Sequence, residues 1–238
     1  MQSLWLGTVA YRDAWRLQQS LAESRWRNEI GDCVLLLEHP PVYTTGRNCE
    51  PAHLKRGVAV LTARGADVVD VDRGGSVTFH GPGQLVAYPI VAVADIFPLG
   101  VDGAQGDVLR YLRALESALI ETAAASDVVA HRRPPYTGVW IGNRKLAAIG
   151  VKLARGVSTH GIALNVTTDL AWFDHVIPCG IADSGVTSIA ALTHRRPSVA
   201  DVGSMFAVHL ANCLGLAPAD ANDALRDAVQ SFEAVSTT

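Results

Sequence analysis

The order of helical and strand-like patterns is the feature that most constrains the fold of this chain. Residues 12–30 repeat apolar side chains at helical spacing, and residues 106–125 carry a second, clearer helical face. Short β-rich runs fill the middle of the chain, separated by glycine or proline, and two further helical patterns close it. Because helices flank the strands without regular strand–helix alternation, the pattern predicts an α+β fold.

The individual runs give approximate element positions. The predicted strands cover residues 3–11, 33–39, 58–61, 67–71, 76–80, 84–93, 138–142, 145–154 and 158–166. Turns are predicted at Gly142-Asn143 and Arg155-Gly156, and Ser198 with Asp201 is a variant of the capping box that begins a helix. The last helix is predicted over residues 222–235. No repeat or linker divides the sequence, so residues 1–238 are expected to form a single domain.

Composition narrows the class of protein. Hydrophobic residues make up 49% and charged residues 18% of the 238 positions, which predicts a substantial buried core. The net charge of -3 gives no overall attraction to nucleic acid or to an anionic membrane. The first residues lack a signal-peptide pattern, and no run is long enough to span a bilayer. We therefore expect a soluble, cytoplasmic protein that binds neither nucleic acid nor membranes.

Four cysteines, at positions 33, 49, 179 and 213, show no paired spacing typical of zinc, so no metal site is expected. Cys179 differs from the others because it stands between Pro178 and Gly180, in a stretch that is neither helical nor strand-like. Proline restricts one torsion before the thiol and glycine permits unusual torsions after it, which indicates a thiol held in one direction. The residue patterns leave three candidate partners for this thiol, namely His175, His160 and Lys145.

Two other segments carry candidate chemistry. Residues 72–90 contain two glycine clusters and can be interpreted as a hairpin with its turn at Gly81-Pro82-Gly83, or as a ligand-binding loop. The segment does not match a phosphate-binding loop. In the second segment, residues 142–166, Lys145 stands beside a predicted turn, which is typical of a solvated surface residue.

Taken together, four segments resemble the octanoyl-[acyl-carrier-protein]:protein octanoyltransferases, also called the lipoyl-protein ligase B family. In chain order they are "LLLEHPPVYTTGRN", "RGGSVTFHGPGQLVAYPI", "NRKLAAIGVKLARGVSTHGIALNV" and "IPCGIADSGVTS". The resemblance implies a mixed β-sheet core flanked by helices, similar to the catalytic domains of biotin-protein ligase and lipoate-protein ligase.

The resemblance also implies an activity and its catalytic residues. The family moves an octanoyl group from octanoyl-acyl-carrier protein to a lysine of lipoyl domains, which occur in 2-oxoacid dehydrogenase complexes and in the glycine cleavage H protein. By this resemblance Cys179 forms the thioester intermediate, and Lys145 lowers the pKa of that thiol and handles protons. No cofactor, ATP or metal is implied.

The family's pocket motifs match three blocks of this sequence. By the same resemblance, the substrate-binding residues are Arg73, Gly74, Gly75, Ser76, Val77, Thr78, Phe79, His80, Ala148, Ile149, Gly150, His160, Gly161 and Ile162. Tyr88, Gly81 and Gly83 are further candidates for the pocket lining.

Three other functions remain open from the sequence. An ATP-dependent lipoate or biotin-type ligase of the same fold would not need Cys179. A non-catalytic acyl-binding module would need only the glycine-rich loop and apolar residues, and a cysteine thioesterase would release free octanoate.

Overall fold

The computed structural model describes residues 1–100, 105–176 and 184–236. The predicted nucleophile Cys179 lies outside these residues. The α-helices, in chain order, are α1 (Tyr11–Trp26), α2 (Val58–Ala63), α3 (Val93–Ile96), α4 (Val108–Ala125), α5 (Ile189–Thr193), α6 (Val199–Cys213) and α7 (Asp223–Ser236). Two 3₁₀ helices cover Pro51–His53 and Leu170–His175.

The strands are distributed along the whole chain. In order they are β1 (Gln2–Thr8), β2 (Cys33–Glu38), β3 (Val42–Thr45), β4 (Asp67–Asp70), β5 (Val77–His80), β6 (Gln84–Ile90), β7 (Pro98–Leu99), β8 (Gln105–Gly106), β9 (His131–Arg133), β10 (Tyr136–Ile141), β11 (Arg144–Ala154), β12 (Val157–Asn165), β13 (Gly185–Val186) and β14 (Ala219–Asp220).

Within the described ranges, nine strands form one large sheet in the order β14-β1-β2-β6-β12-β11-β10-β9, with β13 paired to β11. The pairs β14/β1, β1/β2 and β11/β13 are parallel, and the other pairs are antiparallel. The sheet is therefore mixed and is flanked by helices, so the predicted fold class is confirmed.

Two apolar layers cover the large sheet, and strand β2 contributes to both. Val34 and Leu36 pack in a cluster with residues of α4 and α6, whereas Leu35 and Leu37 pack in a cluster with residues of α1 and α7. This alternation follows from the two-residue period of a strand. Burial of each such side chain contributes about 1.5–3 kcal/mol, so the two layers hold the sheet between the helices.

A smaller sheet, in the order β4-β3-β5, lies beside the large one. Strand β5 pairs with β3, while β6 pairs with β2 and β12 of the large sheet. The turn at Gly81-Pro82-Gly83 therefore passes from one sheet to the other, and the hairpin interpretation of this segment is wrong. The ring of Phe79, on β5, stacks on Trp172 at a centroid distance of 5.2 Å.

Most of the other predicted elements are present. The turns after β10 and β11 lie at Gly142-Asn143 and Arg155-Gly156, and the Ser198 hydroxyl accepts a hydrogen bond from the amide of Asp201 at the start of α6. The strand predicted over residues 58–61 is wrong, because these residues belong to α2, whose Leu61 is buried in the core of the small sheet. Among the described helices, none combines the length and the apolar character needed to cross a membrane.

Candidate active site

A cavity of about 450 Å³, its open mouth included, lies where the small sheet approaches β11 and β12. We call it the central cavity. Its lining residues are Tyr11, Arg73, Gly75, Ser76, Val77, Thr78, His80, Tyr88, Ala148, Ile149, Gly150, His160, Gly161, Ile162 and Ala163. The apolar side chains of this lining favour a ligand with hydrocarbon character.

Arg73 holds the loop that forms one wall of the central cavity. Its Nη2 donates to the carbonyl and hydroxyl oxygens of Thr44 at 2.7 and 2.8 Å, and its Nη1 donates to the carbonyl oxygens of Ser76 and Gly74 at 2.8 and 3.0 Å. Gly75 has a φ of 84°, a conformation that glycine adopts without strain. The guanidinium therefore fixes the loop backbone against β3.

Two glycines face each other across the wall formed by β11 and β12. Gly150 pairs with Gly161 in this antiparallel ladder. A Cβ on Gly161 would lie 2.1 Å from the carbonyl oxygen of Ala87, so glycine is needed for the close approach of β12 to β6. A Cβ on Gly150 would lie 3.0 Å from Cδ of Arg73 and would narrow the cavity. One glycine therefore permits the sheet geometry, and the other keeps space for a ligand.

A hydrogen-bonded cluster closes one end of the central cavity. The hydroxyl of Tyr11 lies 3.5 Å from Nδ1 of His160, and Nε2 of His160 lies 2.8 Å from a carboxylate oxygen of Asp72. The backbone amide of His160 donates to Oε1 of Gln18 at 2.7 Å. Burial alone would raise the pKa of Asp72, but hydrogen bonds from Lys152 and His160 lower it overall. These contacts fix both rings that face the cavity.

The titratable rings of the lining are uncharged at neutral pH. Burial raises the pKa of Tyr11 to about 12 and raises the pKa of Tyr88 well above its ordinary value. Burial also lowers the pKa of His160 and lowers that of His80 well below its ordinary value. The cavity therefore offers neutral polar groups to a ligand at these positions.

His39 contacts the lining of the central cavity through Tyr88. Its Nδ1 lies 2.6 Å from the carbonyl oxygen of Val9, and its Nε2 lies 2.7 Å from the hydroxyl of Tyr88. A carbonyl oxygen only accepts, so Nδ1 carries the proton and Nε2 accepts from Tyr88. Burial lowers the pKa of His39 to about 4, which agrees with this neutral tautomer.

Lys145 borders a second, smaller cavity of about 270 Å³, which we call the lysine cavity. The two cavities share the lining residues Thr78, Ala148 and Ala163. Lys145 is only 6% exposed, so the expectation of a solvated surface lysine is wrong. Strand β13 explains the difference, because Val186 pairs with Lys145 and covers the strand beside the turn.

The ammonium of Lys145 is positioned by aromatic and backbone neighbours. Nζ lies 4.7 Å from the ring centroid of Trp140, within the range of a cation–π interaction. The amide of Gly138 donates to the fully buried carboxylate of Glu116 at 3.1 Å, and a Cβ on Gly138 would lie 3.5 Å from Cε of the lysine. Two arginines also donate to this carboxylate. The network fixes strand β10 beside the lysine.

A chain of hydrogen bonds runs from the central cavity to the lysine cavity. Nδ1 of His80 donates to Oε1 of Gln84 at 2.8 Å, and Nε2 of Gln84 donates to Oδ1 of Asn165 at 2.9 Å. The amide nitrogen of Asn165 donates to the carbonyl oxygen of Thr187 at 3.0 Å. These bonds connect the small sheet, the large sheet and the segment after β13.

The structure brings the described ends of the Cys179 segment close to the lysine cavity. Phe173, before the segment, and Val186, after it, both line that cavity. Val176 and Leu54 form an isolated β-bridge, and the carbonyl oxygen of His175 accepts from the amide of Lys55. Any pairing of His175 with Cys179 involves a residue outside the described ranges.

Two of the described cysteines lie in environments that keep their thiols protonated. Burial raises the pKa of Cys33 to about 12. Burial and the neighbouring Glu121 raise the pKa of Cys213 to about 11. A protonated thiol is a poor nucleophile, so these environments do not activate either cysteine.

The predicted pocket residues separate into two groups. Thirteen of the expected positions line the central cavity, and Gly74, Phe79, Gly81 and Gly83 are absent from its described lining. Phe79 points into the core of the small sheet, and Gly74 is hydrogen-bonded to Val151. A Cβ on Gly81 would meet the Phe79 ring, and one on Gly83 would meet Thr167. Gly81 and Gly83 are therefore needed for the close packing of the turn.

Several site residues had not been predicted. Tyr11 and Ala163 line the central cavity, and Gln84 and Asn165 line the lysine cavity. Gln84 begins the largely apolar strand β6, and Asn165 directly follows the apolar residues 162–164 of β12. This contrast could have identified both polar residues. Tyr11 begins a helix far from every motif, and no local pattern marks it.

Comparison with known proteins identifies the family. Residues 10–211 match the family described as the lipoyl protein ligase A/B catalytic domain. An octanoyltransferase of Chloroflexus aurantiacus is 47% identical over 217 residues, covering 90% of this chain and 94% of that protein. An octanoyltransferase of Rubrobacter xylanophilus is 46% identical over 198 residues, covering 82% of this chain and 85% of that protein.

Solved structures agree on the fold. A lipoate-protein ligase A bound with ATP has a TM-score of 0.74 at 12% identity, covering 98% of this chain and 94% of that one. A biotin protein ligase from Aquifex aeolicus has a TM-score of 0.54 at 14% identity, covering 98% and 76% respectively. The predicted likeness to these catalytic domains is confirmed. The chain therefore belongs to the lipoyl protein ligase A/B catalytic-domain family and, within it, to the octanoyltransferases, which are acyltransferase enzymes.

Proposed function

We propose that this protein transfers an octanoyl group from octanoyl-acyl-carrier protein to a lysine of lipoyl domains, through a thioester on Cys179. The acceptors in this proposal are the lipoyl domains of 2-oxoacid dehydrogenase complexes and the glycine cleavage H protein. In this proposal, the octanoyl chain lies in the central cavity, and Lys145 transfers protons at the thioester end of the chain. The proposal covers residues 1–238 as one catalytic domain.

One observation carries the proposal. A buried lysine borders a cavity that shares three residues with the central cavity, and Phe173 and Val186, at either end of the Cys179 segment, line that same cavity. Cys179 follows Val176 by three residues, so their Cα atoms are separated by at most about 11 Å. Cys179 therefore belongs to a short segment whose flanking residues Phe173 and Val186 line the lysine cavity, which supports the proposal.

The first half of the reaction loads the enzyme. A free thiol with a pKa of about 8.5 is only about 3% ionised at pH 7, and a neighbouring ammonium increases that fraction. The Cys179 thiolate attacks the carbonyl carbon of the donor thioester. The bond to the phosphopantetheine sulfur breaks, and that sulfur leaves with a proton supplied by Lys145. One thioester replaces another, so no ATP is consumed.

The second half transfers the group to the acceptor. The acceptor lysine has an ordinary pKa of about 10.4, so its neutral amine costs about 4–5 kcal/mol at pH 7. In the proposed step, Lys145, neutral after the first half, takes a proton from the attacking amine. The C–N bond forms, the C–S bond breaks, and the Cys179 thiolate is regenerated. The amide product is more stable than the thioester, which drives the transfer forward.

The central cavity supports an acyl chain as the ligand. Its titratable rings are neutral, and its apolar wall includes Val77, Ile149 and Ile162. Burial of about seven hydrocarbon carbons contributes up to about 5 kcal/mol, which is enough to prefer octanoyl to acetyl.

Intact mass spectrometry tests the thioester directly. We expect incubation with octanoyl-acyl-carrier protein to add one octanoyl mass that hydroxylamine removes, and Cys179→Ser to abolish lipoyl-domain modification. Cys213→Ser is the matched thiol control and should keep the activity, because Cys213 lies at the end of α6 beside Glu121. Lys145→Met should slow both half-reactions while the protein still folds. Normal modification by Cys179→Ser would refute the proposal.

The same assay separates the other candidate functions. Modification that requires ATP and free octanoate would indicate a ligase. Free octanoate as the main product in the presence of a lipoyl domain would indicate a thioesterase. Binding of the donor without turnover in every variant would indicate an acyl-binding module.

A further inference from the structure

The pairing of β11 with β12 gives a length scale for the central cavity. The lysine cavity meets it at the level of the pair Ala148–Ala163, and Val151 pairs with His160 at the opposite end. Three residues of an antiparallel strand span about 10 Å. An extended octanoyl group, with C–C bonds of about 1.5 Å, spans about 9 Å. The chain end therefore reaches the level of His160.

Tyr11 closes the cavity at this level. It is 4% exposed, its ring stacks with that of His80 at a centroid distance of 5.9 Å, and its hydroxyl lies 3.5 Å from Nδ1 of His160. The ring also lies 5.0 Å from that of His39. Contacts on several sides hold the ring in one orientation, so it is a rigid boundary to the chain.

Beyond Tyr11 there is further space. An open groove on α1, which we call the helix groove, has a volume of about 1000 Å³ with its open side included. Its lining combines the rings of Tyr11 and Trp15 with the charged residues Arg12, Asp13, Arg16 and Asp67. Among the described residues, Tyr11 is the one that lines both the central cavity and the helix groove. Trp15 lines the groove only, and its ring lies 6.1 Å from that of His160. The Tyr11 side chain therefore lies between the central cavity and the helix groove.

We propose that Tyr11 sets the upper limit of acyl-chain length by separating the central cavity from the helix groove. This inference rests on the proposed function, because it assumes that an acyl chain fills the central cavity with its thioester end towards Lys145. Replacing the ring with a small side chain joins the two spaces and lets a longer chain continue into the groove.

Three variants test the inference. We compare kcat/KM for octanoyl-, decanoyl-, dodecanoyl- and tetradecanoyl-acyl-carrier protein in the wild type, Tyr11→Ala, Tyr11→Phe and Trp15→Ala. Dodecanoyl has four more methylenes than octanoyl. Each methylene that becomes buried improves binding about fourfold, so burial of two of the four gives a change of at least about tenfold. We expect Tyr11→Ala to raise the dodecanoyl-to-octanoyl ratio by at least this factor. Tyr11→Phe keeps an aromatic ring at position 11, and Trp15→Ala leaves Tyr11 in place. Both variants should therefore keep the wild-type dodecanoyl-to-octanoyl ratio.

A binding measurement separates the failure of this inference from failure of the proposed function. Alkyl thioethers of pantetheine cannot react, so calorimetry with chains of eight to fourteen carbons reports the cavity length alone. A length limit in binding without any transfer by the wild type would reject the proposed function and keep the role of Tyr11. Octanoyl transfer with the same length limit in folded Tyr11→Ala would reject the role of Tyr11. If Tyr11→Ala fails to give a cooperative thermal transition, Tyr11→Leu replaces it. An unchanged dodecanoyl-to-octanoyl ratio in Tyr11→Leu would likewise reject the role of Tyr11.

Discussion

The buried imidazole of His39 makes the stability of this protein sensitive to mild acid. Its pKa is about 4 in the folded protein, because burial disfavours the charged ring, against an ordinary value of 6.5. Protonating Nε2 would also remove the acceptor for the Tyr88 hydroxyl, which lies 2.7 Å away. Between these two pKa values, the unfolded chain binds a proton at this position and the folded protein does not.

The sign and magnitude follow from this difference in bound protons. The contribution of His39 to the free energy of unfolding is complete above about pH 6.5 and falls as the pH falls towards 4. The slope is about 1.4 kcal/mol per pH unit, and the full loss is about 3 kcal/mol. The glutamine of His39→Gln is neutral at every pH in this window. As the pH falls, the unfolding free energy of the variant should therefore decrease less steeply than that of the wild type, and the two slopes should differ by about 1.4 kcal/mol per pH unit.

Urea unfolding followed by circular dichroism at pH 7, 6 and 5 measures the free energy of each protein. His131→Gln is the control, because His131 is exposed on β9, and it should retain the wild-type slope. His160 contributes to the slope of both proteins, so the difference between wild type and His39→Gln reports His39 together with its electrostatic coupling to His80. Parallel pH profiles for these two proteins would refute the reasoning.

Three further substitutions test the packing around the site. Gly161→Ala places a Cβ 2.1 Å from the carbonyl oxygen of Ala87, and we expect a loss of about 3 kcal/mol, seen as a fall of about 6–12 °C in Tm; a fall of under 2 °C would contradict this. Gly150→Ala meets Cδ of Arg73 at 3.0 Å, so thermal melts should show a smaller loss, and kinetics should show a raised KM for the octanoyl donor. Glu116→Gln weakens a fully buried acceptor of two arginines and should cost about 2 kcal/mol in urea unfolding, whereas an unchanged midpoint would show that the network contributes little.

Local sequence patterns predicted the elements whose conformation depends on residues that are close in the sequence. Helix α4 has a continuous apolar face, and the β11–β12 hairpin has glycine at its turn. Residues 58–61 show the limit of such patterns. Valine favours strands, but Leu61 is buried against Tyr43 and Phe79, and that long-range contact selects a short helix.

The burial of Lys145 could not be predicted from its neighbours. A lysine beside a glycine-asparagine turn is normally solvated, and the alternation of β11 shows only which face it occupies. Its burial depends on β13, which lies about forty residues later and pairs with it through Val186. The resemblance to a family identified this residue, while the structure supplies the contacts that remove it from solvent. Tyr11 is a similar case, because its place in the cavity lining depends on contacts with residues of distant strands.

In the proposed function, the arrangement of charge gives the two cavities different roles. In the central cavity, the four titratable rings are neutral and the guanidinium of Arg73 is occupied by backbone and hydroxyl oxygens. A hydrocarbon chain can enter this space without removing water from an unpaired charge. The ammonium of Lys145 lies in the adjoining cavity, near the shared residues. In the proposed reaction, the chain of the neutral thioester lies in the first cavity and its carbonyl lies at the boundary. The ammonium of Lys145 is then close to the atoms on which negative charge develops during acyl transfer, so it would stabilise the transition state more than the ground state.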